Sequence, residues 1–195
     1  MIELTATILL SAYAQGVFPM AHEDGLIYWH SPNPRAILPL NRLHVSQSLR
    51  RAINHRQYEI RIDSAFGAIV EACAAPAKGR EMTWINDEII AAYNSLYRLG
   101  YAHSVEVWIG SKLAGGLYGV SLRGLFAGES MFSRSRDASK IALYHLVQRL
   151  HERGYLLLDV QYLTDHLARL GAIEIPRDQY LDLLQKALQV HSSFL

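Results

Sequence analysis

A single cysteine, Cys73, is all the thiol chemistry that this chain of 195 residues holds. That excludes an internal disulfide and any zinc site built on paired thiolates, and it suits a reducing compartment. No apolar run approaches the roughly 18 residues that cross a bilayer. No basic head precedes the first apolar residues, and Glu3 stands where a secretory signal would be positive. These absences point to a cytoplasmic protein without a membrane span. Catalytic signatures are also missing. There is no phosphate-cradling Gly-x-x-x-x-Gly-Lys and no strand–GxGxxG–helix unit, and the nine histidines include no HExxH pair. Neither a metal nor another cofactor is expected. Gly128-Glu-Ser130-Met-Phe132 comes close to the nucleophile elbow G-x-S-x-G, but Phe132 replaces its closing glycine and the local pattern is strand.

What is present describes a globular protein. Half of the residues are hydrophobic and 19% are charged, enough for one full core or two small lobes sharing an interface. Net charge is only +1, yet fifteen arginines stand against four lysines. The planar guanidinium suits phosphate and carboxylate recognition, although a GC-rich genome produces the same bias. Residues 5–15 read as a helix closed by Gly16. The stretch from Phe18 to Arg35 reads as irregular, because Pro19, Pro32 and Pro34, with Pro39 beyond, rule out a long helix. A helix is expected over 46–55 with Ser46 as N-cap, a strand over 58–63, a helix over 64–73 and a loop over 74–80. Asn86 caps a helix that runs to Leu99 and stops at Gly100.

After Gly100 the pattern becomes strand-like over 103–109, 112–121 and 125–133, with Gly110-Ser111 and Arg123-Gly124 placed for tight hairpins. A helix at about 137–153, a strand at 155–161, a short helix at 164–170, a strand at 172–175 and a helix at 178–189 complete an α+β order.

Two places carry polar groups in apolar strands. Asp159 and Gln161, two apart, share one face of a strand that otherwise reads Leu-Leu-Leu-Asp-Val. Buried there, each needs a hydrogen-bond partner. They fit a reacting pair, and equally a cap on the strand end and the helix after Thr164. Glu129 sits between Phe126-Ala-Gly128 and Ser130-Met-Phe132. It suits an ammonium ligand, or an ion pair with an arginine such as Arg134.

A set of blocks in register goes further. Phe18-Pro-Met, Trp29-His-Ser-Pro-Asn-Pro-Arg35, Leu43-His-Val-Ser46, Thr83-Trp-Ile85, His103-Ser-Val-Glu-Val-Trp108, Gly115-Gly-Leu-Tyr-Gly119, Gly128-Glu-Ser-Met-Phe-Ser-Arg134, Asp159-Val-Gln161 and Asp165-His166 follow one another from about residue 8 to 190. In order and spacing the chain resembles the leucyl/phenylalanyl-tRNA–protein transferase family, in a short form. The resemblance implies a small N-terminal lobe, 1–62, and a domain over 63–195 resembling the acyl-CoA N-acetyltransferase (GNAT-like) fold.

The implied activity moves Leu, Phe or Met from aminoacyl-tRNA to an N-terminal Arg or Lys of an acceptor protein, which marks it for N-degron degradation. It needs no cofactor and is carried out by a monomer. Asp159 and Gln161 then manage the attacking amine, and Glu129 binds an ammonium. Phe126, Gly128, Met131, Leu117, Leu143 and Leu158 line an apolar amino-acid pocket. Trp84, Tyr93 and Tyr13 hold the terminal adenosine by stacking, and Arg50, Arg51 and Arg56 track tRNA phosphates. Met20 joins the substrate-binding set at a position where an aromatic residue can occur in the family, as Phe-Pro-Trp, and Val160 replaces a cysteine seen in some members on the opposite strand face. An acyl-CoA-dependent N-acyltransferase is the first rival, but Arg134-Ser-Arg-Asp-Ala-Ser-Lys140 has no glycine for a pyrophosphate loop. A non-catalytic RNA-binding adaptor is the second, and it would have no need of Asp159, Gln161 and Glu129 together.

Overall fold

The structure, a computed structural model, describes residues 4–55, 57–76 and 83–195. Helix α1, Ala6–Ala14, begins where the Thr5 hydroxyl accepts the Ile8 N–H. It ends at Gly16, whose φ of +75° is the left-handed geometry glycine adopts freely. The expected irregular stretch is in fact a hairpin. Strands β1, Phe18–Ala21, and β2, Ile27–His30, pair antiparallel with Phe18 opposite His30. The turn is built by Asp24, whose carboxylate accepts the Leu26 N–H, and by Gly25 at φ +78°. A two-stranded ribbon is all edge, so Pro19 needs no missing ladder partner.

The main sheet has seven strands in the order β4-β5-β6-β7-β8-β3-β9. These are β3 Arg35–Ile37, β4 Glu59–Ile62, β5 Ala102–Ile109, β6 Lys112–Leu122, β7 Leu125–Ser133, β8 Leu157–Gln161 and β9 Ile173–Ile175. Every pairing is antiparallel except β7 with β8. The parallel pair requires a crossover, supplied by α5, Ala138–Glu152. Strands β3 and β4 both come from the first 62 residues; β4 forms one edge of this sheet, and β3 lies between β8 and β9 toward the other.

Helices cover both faces. On one, α5 and α2, Gln47–His55, pack through Leu49, Ile141, Leu146 and Val147 against Val105, Leu117, Phe126 and Leu158. On the other, α1, α3 (Phe66–Ala74) and α4 (Asp87–Arg98) bury Leu9, Ile69, Val70, Ile89 and Tyr93 against Tyr118, Val120 and Ala127. The short α6, Asp165–Arg169, is capped by Thr164, and α7, Arg177–Leu188, closes the sheet beside β7 and β8 through Tyr180 and Leu184. Gly119 marks a close approach within the sheet: a Cβ there would enter the Phe126 ring and the Ala127 carbonyl. No described helix is long and apolar enough to cross a membrane.

Candidate active site

Pairing between β7 and β8 ends at Ala127 and Asp159, while β7 runs on to Ser133. Strands that part inside a sheet leave side chains and backbone facing a gap, and the polar residues singled out above stand at this fork. Glu129 owes its position to a β-bulge. Across β6 and β7, Tyr118 faces Ser130 and Gly119 faces Gly128, so Glu129 is the extra residue with no partner opposite. Bulges re-aim a side chain and recur beside active sites.

The bulge delivers the Glu129 carboxylate to two phenols. Tyr13 donates to Oε1 at 2.7 Å and Tyr93 to Oε2 at 3.0 Å, and the two hydroxyls touch each other. Burial pushes the Glu129 pKa up to about 7; the tyrosine hydrogen bonds and Arg35 work against the rise, and the charge of Asp159 adds to it. Burial also drives both phenols well above their ordinary values, so they stay donors. Arg134 is not its partner, since that guanidinium lies over the Phe132 ring.

Asp159 is completely buried. Its Oδ1 accepts Arg35 Nε at 2.9 Å and the Gln161 backbone N–H at 3.0 Å. Its Oδ2 accepts Arg35 Nη2 at 2.6 Å and the Tyr180 hydroxyl at 2.9 Å. A carboxylate offers about four acceptor positions, and all are used. The link from Asp159 to Gln161 therefore runs through the Gln161 backbone N–H and not through its side-chain amide.

Gln161 itself is strained. Its φ of +59° lies in the left-handed region, uncommon for a residue with a Cβ. Tyr162 N–H donates back to the Val160 carbonyl at 2.7 Å, closing a γ-turn centred on Gln161, and with positive φ this is the rare, strained form. The side-chain Nε2 is buried without a hydrogen-bond partner. Such an orphan in a folded protein calls for an explanation, and an amide kept ready for a ligand is one.

The other expected site residues fall into three groups. Leu117, Phe126, Leu143 and Leu158 come together, but as closely packed core, each no more than 3% exposed. Met131, opposite Leu117 in register, is half-buried at the edge of that cluster, and Gly128 lies beside the Asp159 carbonyl. The rings of Tyr13 and Tyr93 are buried, so no base can stack on their faces; their hydroxyls serve Glu129 instead. Trp84 and Met20 are half-buried in the same core cluster as these tyrosines, and the Trp84 carbonyl accepts the Ala21 N–H. Arg50 and Arg51 are exposed on α2, whereas Arg56 lies outside the described residues. Arg35 and Tyr180 were not foreseen. Arg35 closes the Trp29–Arg35 stretch, where its neighbours in sequence give it no role, and nothing local marks Tyr180.

A separate cleft of about 880 Å³ lies between α1 and β2, lined by Ile8, Ala12, Leu26, Trp29 and Glu88 among others. Its lining includes none of Glu129, Asp159 and Gln161. Among the described residues, no cluster of three or more His, Cys, Asp or Glu is arranged to hold a metal ion.

A buried, fully bonded carboxylate and an unsatisfied amide thus stand side by side at a fork in a mixed sheet. Comparison with known proteins identifies the family. Residues 37–185 match the sequence model of the leucyl/phenylalanyl-tRNA protein transferases and residues 2–33 that of their N-terminal domain. The leucyl/phenylalanyl-tRNA–protein transferase of Herpetosiphon aurantiacus is 54% identical over 98% of this chain and 98% of its own. That of Rhodospirillum rubrum is 51% identical over 100% of this chain and 92% of its own. The chain belongs to the leucyl/phenylalanyl-tRNA protein transferase family and is an aminoacyltransferase that uses aminoacyl-tRNA and a protein acceptor. Among solved structures, L-PGS from Bacillus licheniformis superposes with a TM-score of 0.44 and 17% identity over 68% of this chain and 48% of that one, too slight a likeness to build on.

Proposed function

We propose that this protein transfers Leu, Phe or Met from aminoacyl-tRNA to the N-terminal Arg or Lys of acceptor proteins, marking them for degradation. The observation that carries the chemistry is the orphaned Gln161 amide, held in a strained turn by a carboxylate with no free acceptor position. The α-amine of the acceptor attacks the ester carbonyl, the C–N bond forms, the C–O bond to the 3′ oxygen of the tRNA breaks, and that oxygen leaves with the amine's proton. The ester is already activated and an α-amine has a pKa of about 7.7–8.0, so alignment outweighs the need for a strong base. The Gln161 carbonyl accepts a hydrogen bond from the attacking amine. Its Nε2 donates to the substrate, ending its isolation. Glu129, framed by two phenols, receives an ammonium group.

In this reading Met131 is the adjustable wall of the amino-acid pocket and Arg50 and Arg51 meet tRNA phosphates. The order β5–β6–β7, α5, β8, with β7 and β8 parallel and parting at Ala127 and Asp159, supports an acyl-CoA N-acetyltransferase-like plan for the transfer domain.

The test is incubation with labelled leucyl-tRNA and a peptide beginning with arginine, without ATP or CoA. Label should enter the peptide, and Gln161→Ala should lower kcat far more than it changes KM for leucyl-tRNA. Transfer that required CoA, or a Gln161→Ala enzyme turning over at the wild-type rate, would sink the proposal.

A further inference from the structure

We infer that Arg35 and Tyr180 are positioning residues for transfer, fixing the Asp159 carboxylate so that it holds Gln161 in its strained turn. This rests on the role proposed above for Gln161.

Arg35 is 1% exposed, a buried charge of the most costly kind unless every donor is used. Nε and Nη2 grip Asp159 side-on, and Nη1 donates to the Gly16 carbonyl at 2.9 Å. Its guanidinium carbon lies 4.7 Å from the centre of the Phe18 ring and 4.4 Å from that of Tyr180. Two aromatic faces and a bidentate carboxylate fix a planar cation in all directions, which a lysine ammonium cannot reproduce. The carboxylate is thereby locked, and its Oδ1 meets the Gln161 N–H.

The direction of dependence follows from the strain. Left-handed geometry at a glutamine is unfavourable without outside support. Part of that support is the β3–β8 pairing of Ala36 with Gln161, and the rest is this hydrogen bond. Arg35 is the first residue of β3, so the strand that flanks the turn also carries the cation that stabilises it. Gly16 and Phe18 tie the end of α1 and the start of the hairpin to the same point, and Tyr180 ties α7.

Arg35→Lys, Arg35→Met, Tyr180→Phe and Gln161→Ala are compared for folding by circular dichroism, for kcat and KM with leucyl-tRNA, and for hydrogen exchange of the Gln161 amide in glutamine-labelled protein. A misplacement of about 1 Å at a reacting group costs on the order of a hundredfold, and that fall in kcat is expected for Arg35→Met, with partial rescue in Arg35→Lys and KM unchanged. Losing one hydrogen bond to a charged group predicts roughly a tenfold fall for Tyr180→Phe. The Gln161 amide should exchange faster in all three. If Arg35→Lys fails to fold, Tyr180→Phe with its amide exchange decides the matter. Unchanged kcat in the Arg35 and Tyr180 variants, or a loss confined to KM, overturns the inference while leaving the proposed chemistry standing. Wild-type kcat in Gln161→Ala would instead strike the role of Gln161 itself.

Discussion

Glu129 makes stability depend on pH in a direction opposite to that of an ordinary salt-bridged carboxylate. Its folded-state pKa is about 7 against 4.5 for a free glutamate, so between those values the native state binds more protons than the unfolded one. Stability is then fully present below about pH 4.5, falls as pH rises, and levels off above pH 7. At 1.36 kcal/mol per unit the whole penalty is about 3 kcal/mol. Because Glu129 is only partly buried, solvent screening reduces it to roughly 2 kcal/mol. Glu129→Gln removes the charge and keeps groups that Tyr13 and Tyr93 can bond. The variant should match wild type near pH 4.5 and exceed it by roughly 2 kcal/mol at pH 8, or about 4–8 °C in Tm for a chain of this size. Urea or thermal denaturation from pH 4.5 to 8 reads the difference. Parallel curves for the two proteins would refute the reasoning. On the functional side, an ammonium bound to Glu129 requires the ionised form, so wild-type affinity for the cationic substrate should weaken as pH falls below 7.

Three further predictions follow from position. Replacing the exposed Arg50 and Arg51 by Ala should lower tRNA affinity for every suitable aminoacyl-tRNA and flatten its salt dependence by about two charges' worth; an unchanged slope removes α2 from the tRNA surface. Met131→Ala should widen the half-buried edge opposite Leu117 and favour bulky aminoacyl groups such as Trp relative to Leu, within the roughly 1–3 kcal/mol that shape discrimination allows; constant ratios among Leu, Phe, Ile and Trp would make Met131 plain packing. Gly119→Ala forces a methyl group into Phe126 and the Ala127 carbonyl, and should cost about 3 kcal/mol in denaturation experiments; an unchanged Tm would mean that β6 and β7 can spread.

What the sequence conveys and what it withholds divide along the range of the interactions. Helices α1, α4 and α6 start at Thr5, Asn86 and Thr164, whose side chains accept a backbone N–H three residues on. That signal is local and legible, as are the turns at Gly110 and Arg123. The β1–β2 hairpin is hard to read because Pro19 and the prolines that follow at 32, 34 and 39 outweigh strands only four residues long, and a ribbon outside the main sheet tolerates Pro19. The site depends on distant partners. Glu129 is held by Tyr13 and Tyr93, 116 and 36 positions away, and Asp159 by Arg35, 124 positions away. No periodicity links such residues; the packing of α1 and α4 on the sheet brings the tyrosines to Glu129, and the sheet order, which slots β3 between β8 and β9, brings Arg35 to Asp159. The local inference about Asp159 and Gln161 rested on incomplete geometry. Strand alternation puts both on one face, but the γ-turn at Gln161 takes it out of that alternation, and the link between the two runs through a backbone N–H. A polar pair in an apolar strand can thus be recognised from spacing as needing partners, while the strain that fixes its orientation is visible only once the cation that balances the carboxylate has been found.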